Sequence, residues 1–166
     1  MARNIAETNA TVSVLDRLID TDPTNPYEAP MSGTQSVRAV KMALRRDLEW
    51  LLNARRIAVE PPASLKELNR SAYVFGLPDL TAFSLSSSKD RARLLRVLQN
   101  TVRLFEPRLA NVKIVPLEAD GLTRHTMAFR IDGLLIMDPA PEHVSFDTVL
   151  ELSSGTYNVK GDADAG

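Results

Sequence analysis

Cysteine is missing from all 166 residues, which removes disulfide frameworks, thiolate nucleophiles and cysteine-bound zinc or iron–sulfur centres. That fits a reducing compartment. Histidine is almost as scarce: His125 and His143 are the two, and neither lies a helical step from another ligand type, so a metal site has little material. None of the seven glycines falls in a G-x-G-x-x-G run or a phosphate-cradling loop ending in Gly-Lys-Ser/Thr. Ser84, Ser86, Ser87 and Ser88 sit in no G-x-S-x-G setting and read as a polar loop before a helix cap. No apolar run approaches the roughly 20 residues that a membrane-spanning helix needs. The first ten residues are polar and carry Glu7, without the basic end and apolar stretch of a secretory signal, so the chain is expected to stay in the cytoplasm. No cofactor and no enzymatic activity are expected.

What is present is the make-up of one soluble globular domain with tails: 44% apolar and 25% charged residues, in a length able to bury a sizeable core. Net charge is only −1, but it is unevenly spread. Residues 36–60 hold six basic and three acidic side chains, residues 89–113 seven and two, and residues 118–166 three and nine. With few aromatics among the arginines, the basic middle reads as solvated faces and contacts to acidic protein partners, not as a nucleic-acid surface.

Along the chain, Ser13-Val-Leu-Asp-Arg-Leu-Ile19 predicts a short helix with Ser13 as cap and Asp16 completing an S-x-x-D box. The stretch at 20–30 holds three prolines and reads as a tether. The helix either docks on a partner or folds back on its own domain. From 36 to about 56, Val37, Val40, Leu44, Leu48, Leu51 and Leu52 make one apolar stripe of a long helix. Ala39, Ala43, Trp50 and Ala54 form a second packing side, and Arg38, Arg45, Arg46, Glu49, Asn53 and Arg56 an arc facing water or an acidic surface. A short helical or irregular stretch near Leu65 to Leu68 leads to turns at Gly76 and Pro78. A second long helix starts at a Ser87 or Ser88 cap and buries Leu94, Leu95, Leu98, Val102 and Phe105. Residues 112–115, 126–131, 144–152 and 156–159 alternate or are β-branched and predict strands. Asp132-Gly133 is a hairpin turn or a bulge in one longer strand. The expected fold is α+β: two main helices packed on one face of a small antiparallel or mixed sheet formed by the C-terminal third.

The most telling feature is Phe105-Glu106-Pro107-Arg108-Leu109. Pro107 has no N–H and pushes Glu106 out of helical dihedrals, so the helix stops at about Phe105. Glu106 is the best-placed carboxylate for catalysis, yet Arg108 favours its ionised form, whereas a general acid must keep its proton near neutral pH. A rigid acceptor beside a forked donor suits ion-pair recognition of a partner or bracing of the domain's own helix end.

Taken together, residues 13–19, residues 40–56 with their Leu-Leu-Asn-x-Arg-Arg run, residues 73–79, the Phe-Glu-Pro-Arg-Leu pentapeptide about fifty residues later, and the terminal strand region with Gly155 resemble the TssE baseplate subunits of type VI secretion systems. These are kin to the phage-tail baseplate wedge proteins once labelled lysozyme-like. Tyr73 is followed by Val-Phe-Gly rather than directly by Gly, a departure within the inter-helix loop. The resemblance implies a docking helix and linker at 1–33, a wedge domain at 34–160 and a disordered tail at 161–166. It implies a non-enzymatic part of a contractile injection machine, held in the cytoplasm in a baseplate docked at the inner membrane complex. The implied partners are the wedge subunits TssF, TssG and TssK and the sheath proteins TssB and TssC. In such wedges the Glu-Pro-Arg motif contacts the helical core of the larger subunits, so Glu106, Pro107 and Arg108 become partner-binding residues. The sheet would template sheath polymerisation by offering an open edge to an incoming strand. A phage or other contractile tail, and a regulatory anti-adaptor of the same domain family, are the alternatives.

Overall fold

The computed structural model describes residues 13–18, 33–80, 83–118, 126–138, 140–151 and 155–161. Of the sequence expectations, Ile19, the proline-rich stretch at 20–30, His125, the Leu152-Ser153-Ser154 end of a strand and turn, and the tail after 161 lie outside them. The described chain runs α1 (Val14–Leu18), α2 (Gly33–Asn53), α3 (Ser88–Phe105), then β1 (Leu109–Leu117), β2 (Thr126–Leu135), β3 (Glu142–Glu151) and β4 (Thr156–Gly161). Neighbouring strands pair in sequence order and all antiparallel, so the mixed-sheet option falls away.

The helices form where the apolar stripes lie. On α2, Val40, Leu44, Leu48, Leu51 and Leu52 are buried, and on α3, Leu94, Leu98 and Val102. They meet the inward face of the sheet at Val112, Met127, Phe129, Ile131, Leu135, Val144, Phe146, Leu150, Tyr157 and Val159. Each fully buried Leu or Phe contributes about 1.5–3 kcal/mol relative to exposure, which outweighs any propensity term in these elements. Ser87 caps α3 by accepting from the Asp90 N–H at 3.3 Å. The short helical or irregular stretch expected from around Leu65 to Leu68 takes the form of two 3-10 turns, at Leu68–Arg70 and Ala72–Val74.

The chain leaves α2 three residues earlier than the periodicity predicts. The Ala54 C=O accepts from the Leu77 N–H at 2.8 Å, and the Arg56 N–H donates to the Leu77 C=O at 3.0 Å. This two-bond clip makes residues 54–56 extended. Gly76 is what lets the loop approach: its φ is +96°, and a Cβ there would stand 2.4 Å from the Ala54 carbonyl oxygen.

Asp132-Gly133 is neither a hairpin turn nor a bulge in its own strand. β2 runs through it to Leu135, and the extra residue sits opposite, in β1, where the register slips between Ala110 and Lys113. Asn111 takes a left-handed φ of 53° at that point. β1 also begins earlier than predicted, directly from the corner at Leu109.

Asn53 departs from the expected solvent-facing arc. Its Nδ2 donates to the Tyr157 C=O at 2.9 Å, and its Oδ1 accepts from the Tyr157 N–H at 2.9 Å. A carboxamide has the donor and acceptor of a peptide group, so Asn53 stands in for one residue of a neighbouring strand.

Two buried hydroxyls, those of Thr148 and Tyr157, have no hydrogen-bond partner among the described residues. Thr148 is fully buried between Phe129 and Val159 on the inward face, and its hydroxyl has no partner among the described residues. Replacing it with the apolar Val of the same shape is expected to stabilise the fold by about 1 kcal/mol. Urea unfolding would show a higher midpoint with an unchanged slope; a lower midpoint would mean that the hydroxyl is satisfied.

Candidate functional site

The corner after α3 is built from backbone outward. The Glu106 N–H still bonds to the Val102 C=O at 2.8 Å, but Glu106 leaves helical geometry with φ −120° and ψ 75°, as the following proline demands. The Leu109 N–H closes the turn on the Glu106 C=O at 3.1 Å, and the Ile136 N–H holds the Arg108 C=O at 2.8 Å, tying the corner to the end of β2.

Within this frame Glu106 is 5% exposed and its carboxylate points at Arg108. Arg108 Nε donates to Oε1 at 2.7 Å and Nη2 to Oε2 at 2.6 Å, a two-pronged fork. Arg108 Nη2 also reaches Asp47 Oδ2 on α2 at 2.6 Å. Asp47 Oδ1 in turn accepts from Arg46 Nε at 3.0 Å and Nη2 at 2.8 Å, and Arg46 Nη1 meets Asp16 Oδ1 on α1 at 2.7 Å. Five charges of alternating sign thus link α1, α2 and the corner.

Their pKa shifts follow from that arrangement. The bond from Glu106, joined by that from Asp47, raises the Arg108 guanidinium pKa against the opposing effect of burial. Asp47 and Asp16 raise that of Arg46. The Ser13 hydroxyl, at 2.5 Å, and Arg46 hold Asp16 below the ordinary carboxylate value. With both Glu106 oxygens bonded to the Arg108 guanidinium, the corner is held in one geometry. Among the described residues no three His, Cys, Asp or Glu side chains are grouped to hold a metal ion.

Around the ion pairs lies exposed apolar surface. Pro107 faces solvent, Ile136 beside it is 60% exposed, and Trp50 is 55% exposed with the Arg46 guanidinium 4.8 Å above its ring. Half-exposed Phe75 packs edge-on against Phe105, the last residue of α3, with centroids 5.3 Å apart. Tryptophan, arginine and other aromatics are the residues that dominate protein interfaces.

The three residues singled out in the sequence are together, and they differ in exposure: Glu106 inward, Pro107 outward, Arg108 between. Asp47 and Arg46 were not foreseen as part of the site. The signal was the Arg-Arg-Asp triplet on α2, but only the packing of α2 against the corner gives it meaning.

The family described as baseplate wedge protein gp25 matches residues 38–140, a span that takes in most of α2, then α3, the corner, β1 and β2. The chain belongs to this family. Among solved structures, a chain of the baseplate complex from the type VI secretion system is similar to this wedge protein at 20% identity, covering 66% of it and 93% of that chain with a TM-score of 0.45. No curated protein matches. In this family member the matched span ends before β3, so the last two strands of the sheet lie outside it.

Proposed function

We propose that this wedge-family chain is the TssE-like baseplate subunit of a type VI secretion machine, and that it acts by binding and not by catalysis. The observation that carries the reading is the corner. A buried Glu106 fixes Arg108, Arg108 fixes α2 through Asp47, and the result is a rigid platform presenting Pro107, Ile136 and Trp50 outward. Pre-ordering such a surface lowers the entropy cost of association. The partners on this reading are TssF, TssG and TssK in the wedge, through Glu106, Pro107 and Arg108, with Glu106 acting through Arg108. The sheet serves the sheath proteins TssB and TssC by strand addition, and residues 1–33 add a second docking element. The protein works in the cytoplasm at a baseplate docked on the inner membrane complex.

The test uses residues whose loss leaves the core untouched. Trp50→Glu combined with Ile136→Asp places two charges on exposed positions, so the melting temperature is expected to stay within about 2 °C of wild type. Copurification with TssF and TssG is expected to be lost. Normal wedge assembly by a folded double variant sinks the corner as a partner surface.

A further inference from the structure

The face of α3 turned away from the core carries one sign of charge. Lys89, Arg93, Arg96, Asn100 and Arg103 follow one another at steps of four and three residues, so they stand in a single row about 21 Å long, opposite the buried Leu94, Leu98 and Val102. All five are exposed. The helix's one acid, Asp90, is turned back to its own N-terminus, where it accepts from the Ser84 N–H at 3.3 Å. None of the four cations meets a carboxylate among the described residues. Arg93 lies over the Phe83 ring at 5.3 Å, Arg96 donates to the Ala92 C=O at 3.3 Å and Arg103 to the Val112 C=O at 2.9 Å, contacts that leave the charge uncompensated.

Such a row is costly to keep. Like charges three and four residues apart repel, and Lys89 sits in the first turn, where the helix dipole favours an acid. A helix face that meets only water mixes the two signs.

Beside the row lies a groove of about 340 Å³ between α3 and the segment that follows α2. Val97, Asn100, Leu104 and Phe105 of α3 form one wall, and Asn69 and Val74 belong to the other. That second wall is held in shape by the two 3-10 turns and by Asn69, whose Nδ2 donates to the Pro62 C=O at 3.0 Å and to the Leu65 C=O at 2.8 Å. A preformed recess of this size is large enough to take a ligand group.

Row and groove together select the occupant. The row calls for anions, and the arginine fork matches a carboxylate. The apolar surface is recessed and not projecting, so it receives a side chain. It is not the apolar face that an interfacial helix pushes into a bilayer, and a phosphate backbone has nothing apolar to place in it.

We infer that the groove and the basic row form a second docking site, and that its occupant is a partner-protein segment carrying an apolar side chain flanked by carboxylates. The apolar group fills the groove at Val97 and Leu104, and the carboxylates meet Arg93 and Arg96. The site is separate from the Glu-Pro-Arg corner and stands or falls independently of it.

The test places the photo-reactive residue p-benzoylphenylalanine at the exposed Asn100 of the full chain, in the cells that make it, and identifies the coupled peptide by mass spectrometry. Irradiation is expected to join the chain to another protein through a peptide with an apolar residue between aspartates or glutamates. Lys89→Glu with Arg96→Glu sets an acid four residues before Arg93 and another three after it, the first of them in the opening turn. The melting temperature is therefore expected to rise by about 3 °C while the coupled fraction falls about tenfold. A folded variant that couples as well as wild type overturns the proposal. Leu104→Asp, at a position 41% exposed on the groove wall, is expected to cut coupling about tenfold as well, and it decides alone if the first variant does not fold. Coupling only within this chain, to nucleic acid, to lipid, to a segment without acids, or to nothing at all, also overturns the assignment.

Discussion

Replacing Arg108 with alanine is expected to cost about 3 kcal/mol and to lower the melting temperature by about 10 °C, a larger loss than any surface substitution gives. The reason lies in what stays behind. Glu106 is buried at 5% exposure and has both oxygens bonded to the Arg108 side chain, so the alanine variant leaves a buried carboxyl group without its partner. Asp47 loses one partner but keeps Arg46, so its share is small. The fork itself is not the source of stability, because taking two charges out of water costs nearly what their attraction returns. A Glu106→Leu, Arg108→Met double variant is therefore expected to recover most of the loss in denaturant unfolding. If the double variant is as unstable as Arg108→Ala, the fork contributes stability outright and the desolvation argument fails. The two variants also separate bracing from recognition: the apolar pair restores the fold without restoring a guanidinium edge, so on our reading it remains unable to bind wedge partners.

Gly76→Ala is expected to be about as damaging, at about 3 kcal/mol or more. Two effects add. The backbone there has a φ of +96°, which side-chain-bearing residues rarely adopt, and the new methyl would lie 2.4 Å from the carbonyl oxygen of Ala54. That oxygen cannot swing aside, because it holds the Leu77 N–H in the clip between the end of α2 and the loop. Relief requires breaking the clip, which would free Leu77 from the core and loosen the Phe75–Phe105 contact beside the corner. Gly155 is the informative contrast. It too has a positive φ, of +65°, but a methyl there meets only the end of the Arg55 side chain, which can rotate away. Gly155→Ala is thus expected to cost only the left-handed backbone term, about 1–2 kcal/mol. Thermal melts of the two variants side by side check the ordering; equal losses would show that the Ala54 contact is not what matters at Gly76.

Some parts of this architecture were legible before any coordinates. The α2 and α3 stripes announced which residues enter the core, because a period near 3.6 leaves no other way to bury so many leucines on one side. Pro107 announced the helix stop, and the pairing of Glu106 with Arg108 followed from a two-residue spacing across a fixed corner. Weighing that pair against the needs of a general acid pointed away from catalysis, and the structure adds that both carboxylate oxygens are bonded to the guanidinium. Asn53 and Asp47 show where reading fails. Both lie on α2 in helical positions that suit a solvated face, and their partners are 104 and 61 residues away. A polar residue on a helix looks the same whether it meets water or a strand edge.

Asp132-Gly133 carries the same lesson in the opposite direction. Its composition is that of a turn, yet β2 passes through it, because the irregularity belongs to Asn111 and Val112 on the facing strand. Local chemistry marked the right neighbourhood and the wrong strand.

The sequence alone determined the helices, the number of strands, the rigid Glu-Pro-Arg corner and the family the chain resembles, since each depends on residues close together along the chain. The tertiary structure decided what that corner holds, that Asn53 of α2 pairs with β4, and where the bulge falls. Those depend on which distant polar groups are brought within 3 Å of one another when the leucine stripes pack, and no local pattern encodes that distance.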